Sequence, residues 1–209
     1  MTRALVAVTA ILATLGIAFA VEHFTDLDHY NPGFHEHPAI TGLHVSLGGL
    51  YLGLAMLQFV GRVRSRFPKF HRLSGRIAIL AGVVSGVTAL LITAMFPFSG
   101  PIAMAVVGPF ACLFLLSLGR GLWLARAGRF AEHREWMIRA MAVGTSIATM
   151  RLIFVPALLM LGESEALARW LSLASFGIAF VIHTTVAEAW IRSTRERSES
   201  TGRGLSQRA

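Results

Sequence analysis

Cysteine and charged residues are scarce in this chain of 209 residues. The one cysteine, Cys112, excludes an internal disulfide framework and any metal cage built from several cysteines of one chain. Charged residues make up 14% of the sequence, whereas about a quarter is usual in soluble domains. Hydrophobic residues make up 55%, and the mean hydropathy is +0.63. This composition excludes an ordinary soluble domain and indicates an integral membrane protein.

Long hydrophobic runs recur along the chain, and a run of roughly 18 or more apolar residues can cross the hydrocarbon core of a membrane. The runs predict an all-α polytopic transmembrane bundle with six spans. The predicted spans are residues 5–20, 40–60, 73–95, 101–124, 138–160 and 167–191. We expect residues 1–191 to form one transmembrane domain and residues 192–209 to form a basic, disordered cytoplasmic tail.

The net charge of +8 is distributed unevenly among the connections between these spans. Basic residues fill the connections at 62–76 and 120–139 and the C-terminal tail, whereas acidic residues fill the alternate connections at 22–36 and 163–165. This alternation follows the positive-inside rule, which places basic connections in the cytoplasm. We therefore expect a multi-pass protein of the bacterial inner membrane with both termini in the cytoplasm. Anionic lipid is the expected partner of the basic residues, rather than nucleic acid.

The first span also carries features of a secretory signal peptide. Arg3, an apolar run and the small-residue sequence Ala18-Phe19-Ala20 fit such a peptide and its cleavage site. Cleavage would leave five spans and move the N-terminus outside without breaking the charge alternation. We expect the span to be retained, because nothing soluble follows it that would need export.

A basic motif occurs twice, each time at the start of a hydrophobic stretch. RFPKFHRLSGR at residues 66–76 returns in looser form as RFAEHREWMIR at residues 129–139. Spans two and three thereby echo spans four and five, so we expect a core of two helical hairpins with the same orientation. His71 and His133 would then lie in two cytoplasmic connections, each just before a helix, at equal depth near the inner interface.

Imidazole is a ligand of haem iron, copper and zinc. Two helices that present His71 and His133 at one depth could hold a b-type haem or a transition metal ion. His183, about eight residues above the inner end of the sixth span, offers an alternative axial ligand. Two bis-histidine haems are not supported, because His44 is the only histidine within a span toward the outer side. Nearby arginines would neutralise the haem propionates: Arg72, Arg76, Arg134 and Arg139.

The outer connection HFTDLDHYNPGFHEHP suggests a separate metal site. Its four histidines and three acidic residues are dense enough to bind a transition ion. His35 and His37 alternate around Glu36, and His44 lies two helical turns below His37. The alternative interpretation is a solvated histidine-containing loop without a metal.

Other ionisable groups fall inside predicted spans, where they are costly and rarely face lipid. Arg151 lies well inside the fifth span, and Glu188 follows His183 by five residues in the sixth. One interpretation is a proton or solute relay through His44, Arg151 and His183. The other is a structural role, such as an ion pair between Arg151 and Glu163.

The region from His37 to Pro156 resembles a bacterial family of multi-spanning membrane proteins, known as domain of unknown function 2306. The resemblance rests on the order HP, LH and G in the second span, then QF, HRLSGR, HREWMIR and a later T-R before a proline. It implies a polytopic helical fold, and no established activity comes with it. His183 and the acidic outer connection lie outside the pattern. The family's pattern falls on His44, Gln58, His71, Arg72, Gly75, Arg76, His133, Arg134, Met137, Arg139 and Arg151.

Three function classes follow from these features. The leading hypothesis is a small redox or cofactor-handling membrane protein that holds haem b or a metal ion at inner-face histidines. An alternative is a non-enzymatic assembly or lipid-binding factor, in which the His-Arg motifs bind headgroups, a membrane protein partner or a second copy of the chain. Proton or solute translocation is the third. The sequence contains no catalytic nucleophile, phosphate-binding glycine loop or paired-carboxylate site.

Overall fold

The computed structural model describes residues 3–23, 36–162 and 164–206, and nearly all of them are helical. No strand occurs within these ranges, so the all-α class expected from the sequence is confirmed. The helices in these ranges are α1 Arg3–His23, α2 Pro38–Gln58, α3 Gly61–Arg66, α4 Pro68–Met95, α5 Ile102–Arg126, α6 Phe130–Leu161 and α7 Glu165–Ser206.

Five of these helices are long and apolar enough to cross a membrane: α2, α4, α5, α6 and the Glu165–Arg197 part of α7. Helix α1 contains a shorter apolar stretch, Ala7–Ala18. Only 22–33% of the residues in the most apolar part of each long helix are buried inside the protein. Large apolar side chains such as Leu80 and Leu159 therefore stay exposed. A soluble monomer rarely exposes so much contiguous apolar surface, and lipid covers it in an integral membrane protein.

Four helices meet around Tyr51 of α2, whose side chain is almost fully buried. A Cβ atom added at Gly82 of α4 would lie 2.8 Å from the Tyr51 ring, and one added at Gly144 of α6 would lie 2.9 Å from it. Phe114 of α5 meets the same ring edge to face, with 5.1 Å between the ring centroids. Glycine is needed at both positions because the helix backbones approach the ring so closely.

The order in which the helices pack makes α4 and α6 diagonal neighbours. Helix α2 packs along α4, α4 along α5, and α5 along α6, while α6 returns to contact α2. Within the described ranges, α4 and α6 make no close backbone contact with each other. They therefore lie on opposite sides of a four-helix core. Helix α7 packs along α6, and α1 lies against α2 and α6.

Consecutive long helices of this core are joined by short connections, so they run in opposite directions. The connection from α2 to α4, which includes α3, and the connection from α5 to α6 therefore lie at the same end of the bundle. We call it the basic end, because residues 62–76 and 126–134 carry its arginines and Lys69.

His71 and His133 lie inside helices, whereas the sequence predicted them in the connections before those helices. Pro68 begins α4, where its missing N–H costs nothing and its fixed φ favours helix formation. The backbone N–H of His71 donates to the carbonyl of Phe67 at 2.9 Å, and that of His133 donates to the carbonyl of Arg129 at 3.0 Å. Each histidine is thus the fourth residue of its helix, in the first turn.

Helix α7 continues to Ser206, through most of the segment that we expected to be a disordered tail. Arg195 pairs with Glu135 of α6 through both guanidinium Nε and Nη2. The Arg197 guanidinium lies 5.7 Å from the ring centroid of Trp190, and its Nε donates to the Ser193 carbonyl at 3.0 Å. These contacts support helical structure beyond the apolar stretch.

Candidate functional site at the basic end

The His133 ring is held by the end of the preceding helix. Its Nδ1 atom lies 2.8 Å from the carbonyl oxygen of Gly121 on α5. A carbonyl oxygen can only accept, so in the neutral ring Nδ1 carries the proton and Nε2 keeps its lone pair. Histidines that ligate metals are typically fixed in this way, with one nitrogen donating to a backbone carbonyl and the other facing the ion.

Gly121 lies where the end of α5 is in close contact with α6. A Cβ atom at this position would collide with the end of Met137 on α6 and would lie 3.5 Å from Cβ of Trp136. The missing side chain lets α5 and α6 approach closely at the basic end. The His133 ring is therefore held by the backbone carbonyl of a residue twelve positions earlier in the chain.

His71 occupies the equivalent position on the diagonal helix, α4. Its Nδ1 atom is buried and has no hydrogen-bond partner among the residues that the structure describes. The ring lies within electrostatic range of His133 and of Arg64 and Arg72. Buried ring nitrogens without a partner are rare in folded proteins, so this atom is an unusual feature of the basic end.

Gln58 fixes the start of α4 relative to the end of α2. Its Nε2 atom donates to the Ser74 hydroxyl at 2.8 Å, and that hydroxyl donates to the Phe70 carbonyl at 2.7 Å. A Cβ atom at Gly75 would lie 3.0 Å from the amide oxygen of Gln58, so the helices are in close contact here. This network positions the first turn of α4 and with it His71.

The arginines expected to neutralise a ligand fall into two groups. Arg72 and Arg76 are exposed on α4, and Arg134 is partly exposed on α6. Within the described ranges, none of the three forms an ion pair with a carboxylate. Their positive charge is therefore available for an anionic group at the basic end. Further basic residues of this end also lack a carboxylate partner there: Arg62, Arg64, Arg66 and Lys69.

Arg139 belongs to a different arrangement, because its charge is already paired. Its Nε and Nη2 atoms lie 2.5 and 3.0 Å from the two carboxylate oxygens of Glu188 on α7. The guanidinium also lies 4.7 Å from the ring centroid of Trp136. The side chain of Arg139 is 15% exposed and that of Glu188 is 41% exposed. This ion pair joins α6 to α7 and leaves little of the Arg139 charge for a ligand.

His183 does not join the histidines of the basic end. Its Nδ1 lies 3.2 Å from the Thr145 hydroxyl, and its Nε2 lies 2.8 Å from the Thr149 hydroxyl. Because Thr145 donates its proton to the Met141 carbonyl, it accepts from Nδ1, and Thr149 then donates to Nε2. Both ring nitrogens are thus engaged. Thr145 is also twelve residues beyond His133 on α6, or about 18 Å along the helix axis.

His44 links α2 to α4 near the other end of the bundle. Its Nδ1 lies 2.9 Å from the Ser85 carbonyl and 3.3 Å from the Thr88 hydroxyl. In return, the Ser85 hydroxyl donates to the His44 carbonyl at 3.2 Å. His44 therefore faces α4, whereas His183 faces α6.

The remaining residues predicted to form a site lie toward this opposite end or along α6. His37 precedes α2 and stacks on Phe96, with 4.6 Å between ring centroids. His35 and Glu163 fall outside the described residues, and Arg151 is partly buried on α6. In the parts of the chain that the structure describes, no group of three or more His, Cys, Asp or Glu side chains is arranged to hold a metal ion.

Sequence reasoning missed the residues that orient the histidines. Gly121 stands in the GRG sequence at the end of a hydrophobic run and gave no sign of its contact with His133. Thr145 and Thr149 are four residues apart, so they share one face of α6. That spacing of two hydroxyls in an apolar helix is the signal that could have identified the partners of His183.

Comparison with known proteins places this site inside a family region. No match was found among curated proteins or among solved structures. A family model described as "Predicted membrane protein (DUF2306)" matches residues 41–191, a range that includes His71, His133 and Gly121. The resemblance seen in the sequence motifs is thereby confirmed. Since the matched region covers well over half of the chain, the protein belongs to this family of predicted membrane proteins.

Proposed function

We propose that the basic end of the bundle holds a b-type haem between His71 and His133, and that the protein is a small redox membrane protein. The observation that carries the proposal is the hydrogen bonding of the two imidazole rings. His133 has Nδ1 fixed on the Gly121 carbonyl, and His71 has a buried Nδ1 without a hydrogen-bond partner in the described residues. Both occupy the first turn of diagonal helices of a four-helix core, and such bundles build cofactor sites from facing helices.

The number of available ligands favours haem over a bare metal ion. A transition ion held by protein groups usually needs three or four of them. The described residues offer no cluster of three suitable side chains. Haem brings four nitrogen ligands of its own, so two imidazoles complete its coordination. The positive charges of Arg72, Arg76 and Arg134 would neutralise its propionates. When bound, haem supplies one-electron transfer, and the residues of the chain set its ligation and surroundings.

The proposal includes a topology in which the basic end faces the cytoplasm. Six spans, with α1 as the first, would place both termini on that side. The charge distribution supports this arrangement, because the basic residues gather at one end of the bundle and positive connections favour the cytoplasmic side. An electron carrier with this topology would exchange electrons near the inner membrane surface.

Binding of anionic lipid headgroups is a second candidate function of the same end. The observation that favours it is α3, which exposes Arg62, Arg64 and Arg66, none of them paired with a carboxylate in the described part of the chain. Each arginine near an anionic membrane surface contributes roughly 1 kcal/mol of attraction. This function requires the arginines and does not require the two histidines.

Single alanine variants at His71, His133, Arg72 and Arg134 separate the two functions. If haem is held by both imidazoles, His71→Ala and His133→Ala should each abolish haem binding, and the arginine variants should lose only part of it. If headgroup binding is the function, each arginine variant should bind anionic lipid about fivefold more weakly, as the loss of roughly 1 kcal/mol implies, and the histidine variants should bind it about as wild type does. Membrane abundance of each variant is measured before extraction, and haem content and binding of anionic lipid are measured after purification in mild detergent. His37→Ala, at the opposite end, is the matched histidine control and should behave as wild type.

A further inference from the structure

The C-terminal part of α7 runs beside the first turns of α6 at the basic end. Arg195 of α7 pairs with Glu135 of α6, and its Nε atom lies 2.6 Å from one carboxylate oxygen. One turn further along α6, Arg139 pairs with Glu188 of α7. The two ion pairs follow each other in the order that antiparallel helices require. Because Glu135 is two residues after His133, α7 is attached to α6 within one turn of the proposed haem ligand.

The start of α6 depends on such contacts because its first turn has no side-chain cap. Arg129 precedes the helix, makes no capping hydrogen bond within the described chain, and forms an exposed pair with Glu132 instead. The first four N–H groups of a helix have no partner within it, so uncapped ends unfold locally at little cost. His133 is the fourth residue of α6. Unfolding of this one turn would therefore carry its ring away from the Gly121 carbonyl.

The other turn that bears a histidine is held by a comparable contact. In α4, the Gln58 amide of α2 donates to the hydroxyl of Ser74, three residues after His71. Glu135 takes the corresponding position in α6, but its partner comes from the last helix of the chain. The side chain of Glu135 is 16% exposed and that of Arg195 is 57% exposed. Loss of Arg195 would leave a largely buried carboxylate without its partner, which costs more than loss of a fully exposed pair.

We propose that Arg195 is a positioning residue for the haem ligand His133 and that it acts through Glu135. The ion pair keeps the start of α6 helical and in contact with α7. The Gly121 carbonyl then holds the His133 ring in the tautomer that leaves Nε2 free to bind iron. This inference rests on the proposed function, because it concerns the placing of a haem ligand, and it extends the site to α7.

The first test uses the full chain in lipid nanodiscs before haem is added. In Arg195→Gln, the backbone amides of residues 130–139 should exchange with deuterium about two- to fivefold faster than in wild type, the range for an ion pair with one exposed partner. Nitrogen NMR of the His133 ring should shift from the Nδ1-protonated tautomer toward a mixture of both tautomers. The amides of residues 68–76, at the start of α4, should exchange as they do in wild type.

Variants of the partner show whether Arg195 acts through Glu135. Glu135→Gln should reproduce the effect of Arg195→Gln, and the double variant should be no worse than either single one, because all three remove the same interaction. Arg195→Lys keeps the charge and should stay close to wild type. Arg192→Gln is the matched control, since Arg192 is an exposed arginine of the same part of α7 and forms no ion pair within the described ranges.

The second test measures haem retention. With haem bound, Arg195→Gln should lose haem to a haem-scavenging protein about two- to fivefold faster than wild type, and Arg192→Gln should lose it at the wild-type rate. Wild-type behaviour of Arg195→Gln, additive effects in the double variant, or faster amide exchange with unchanged tautomer and haem loss would each overturn the proposal. A wild-type chain that binds no haem would refute the proposed function alone, because the His133 tautomer in the haem-free chain still decides the positioning role.

Discussion

The contacts of a polar side chain in this protein are determined by the neighbouring helix against which it packs. Arg139 and His183 were both candidates for a functional site in the sequence, because ionisable groups in apolar helices are rare. In the fold, Arg139 pairs with Glu188, and two threonine hydroxyls hold His183. Helical periodicity gives the face on which a residue lies but not the neighbour across the interface. For that reason the sequence could not show which residues of the neighbouring helices contact Arg139 and His183.

The Arg139–Glu188 ion pair should contribute measurably to stability. Hydrogen bonds to charged groups are worth about 1.5–3 kcal/mol, and partial exposure of Glu188 reduces the gain. We expect Arg139→Met to lower the free energy of unfolding by about 1–2 kcal/mol, which is less than the full value because Glu188 is partly exposed to solvent. The measurement is reversible unfolding in mixed detergent micelles, followed by circular dichroism. The double variant Arg139→Met/Glu188→Gln should recover part of the loss, because no charge is then left unpaired.

Arg169 provides the matched control for this prediction. It pairs with Glu165 within α7, and the two side chains are 52% and 72% exposed. Exposed pairs at this helical spacing contribute roughly 0.2–0.5 kcal/mol, so Arg169→Met should change stability little. A loss as large as that of Arg139→Met would show that partial burial does not explain the contribution of the Arg139 pair.

At the scale of helices, hydropathy predicted the apolar parts of the five long helices and missed the polar first turns of two of them. The span predicted to start at residue 73 belongs to a helix that begins at Pro68, and the one predicted at residue 138 begins at Phe130. These first turns are rich in charge, so a hydropathy pattern does not separate them from a loop. The proline at the first position of α4 was the available signal. The repeated motif did predict that His71 and His133 take equivalent positions.

Close approach of α2, α4 and α6 should depend on the glycines beside Tyr51. In Gly82→Ala the new methyl group would meet the Tyr51 ring, which Gly144 confines from the other side, and the end of Leu118. Overpacking of this kind typically costs about 1–3 kcal/mol, and we expect that loss in the free energy of unfolding. Reversible unfolding in mixed micelles measures it.

Gly119→Ala is the control, because a Cβ atom at this position of α5 has no neighbour within 4 Å. Alanine is the better helix former by up to about 1 kcal/mol, so the substitution should be neutral or stabilising. If both alanine variants were equally stable, close packing around Tyr51 would not be a source of stability.

At the scale of the whole molecule, the separation of charge between the two ends predicts the orientation in the membrane. Five helices are long and apolar enough to cross the membrane, and the positive charge of the basic end favours the cytoplasmic side for that end. Reporters that work only in the cytoplasm should be active when fused at the basic end or in the tail and silent when fused at the other connections. Activity after Ser99 would contradict the six-span topology. The active fusions should be those after Arg66, Arg129 and Arg203, and the silent ones those after Asn31, Ser99 and Glu163.

The most direct measurement of the proposed function is the visible absorption spectrum of the purified wild-type protein, oxidised and then reduced with dithionite. The protein is expressed with sufficient haem precursor, purified in mild detergent, and assayed for haem and metal per chain. If His71 and His133 are both axial ligands, the reduced spectrum should show the sharp visible bands of a six-coordinate b-type haem, at one haem per chain. A colourless protein without haem, purified with intact helices, would contradict haem ligation and leave headgroup binding as the function of the basic end.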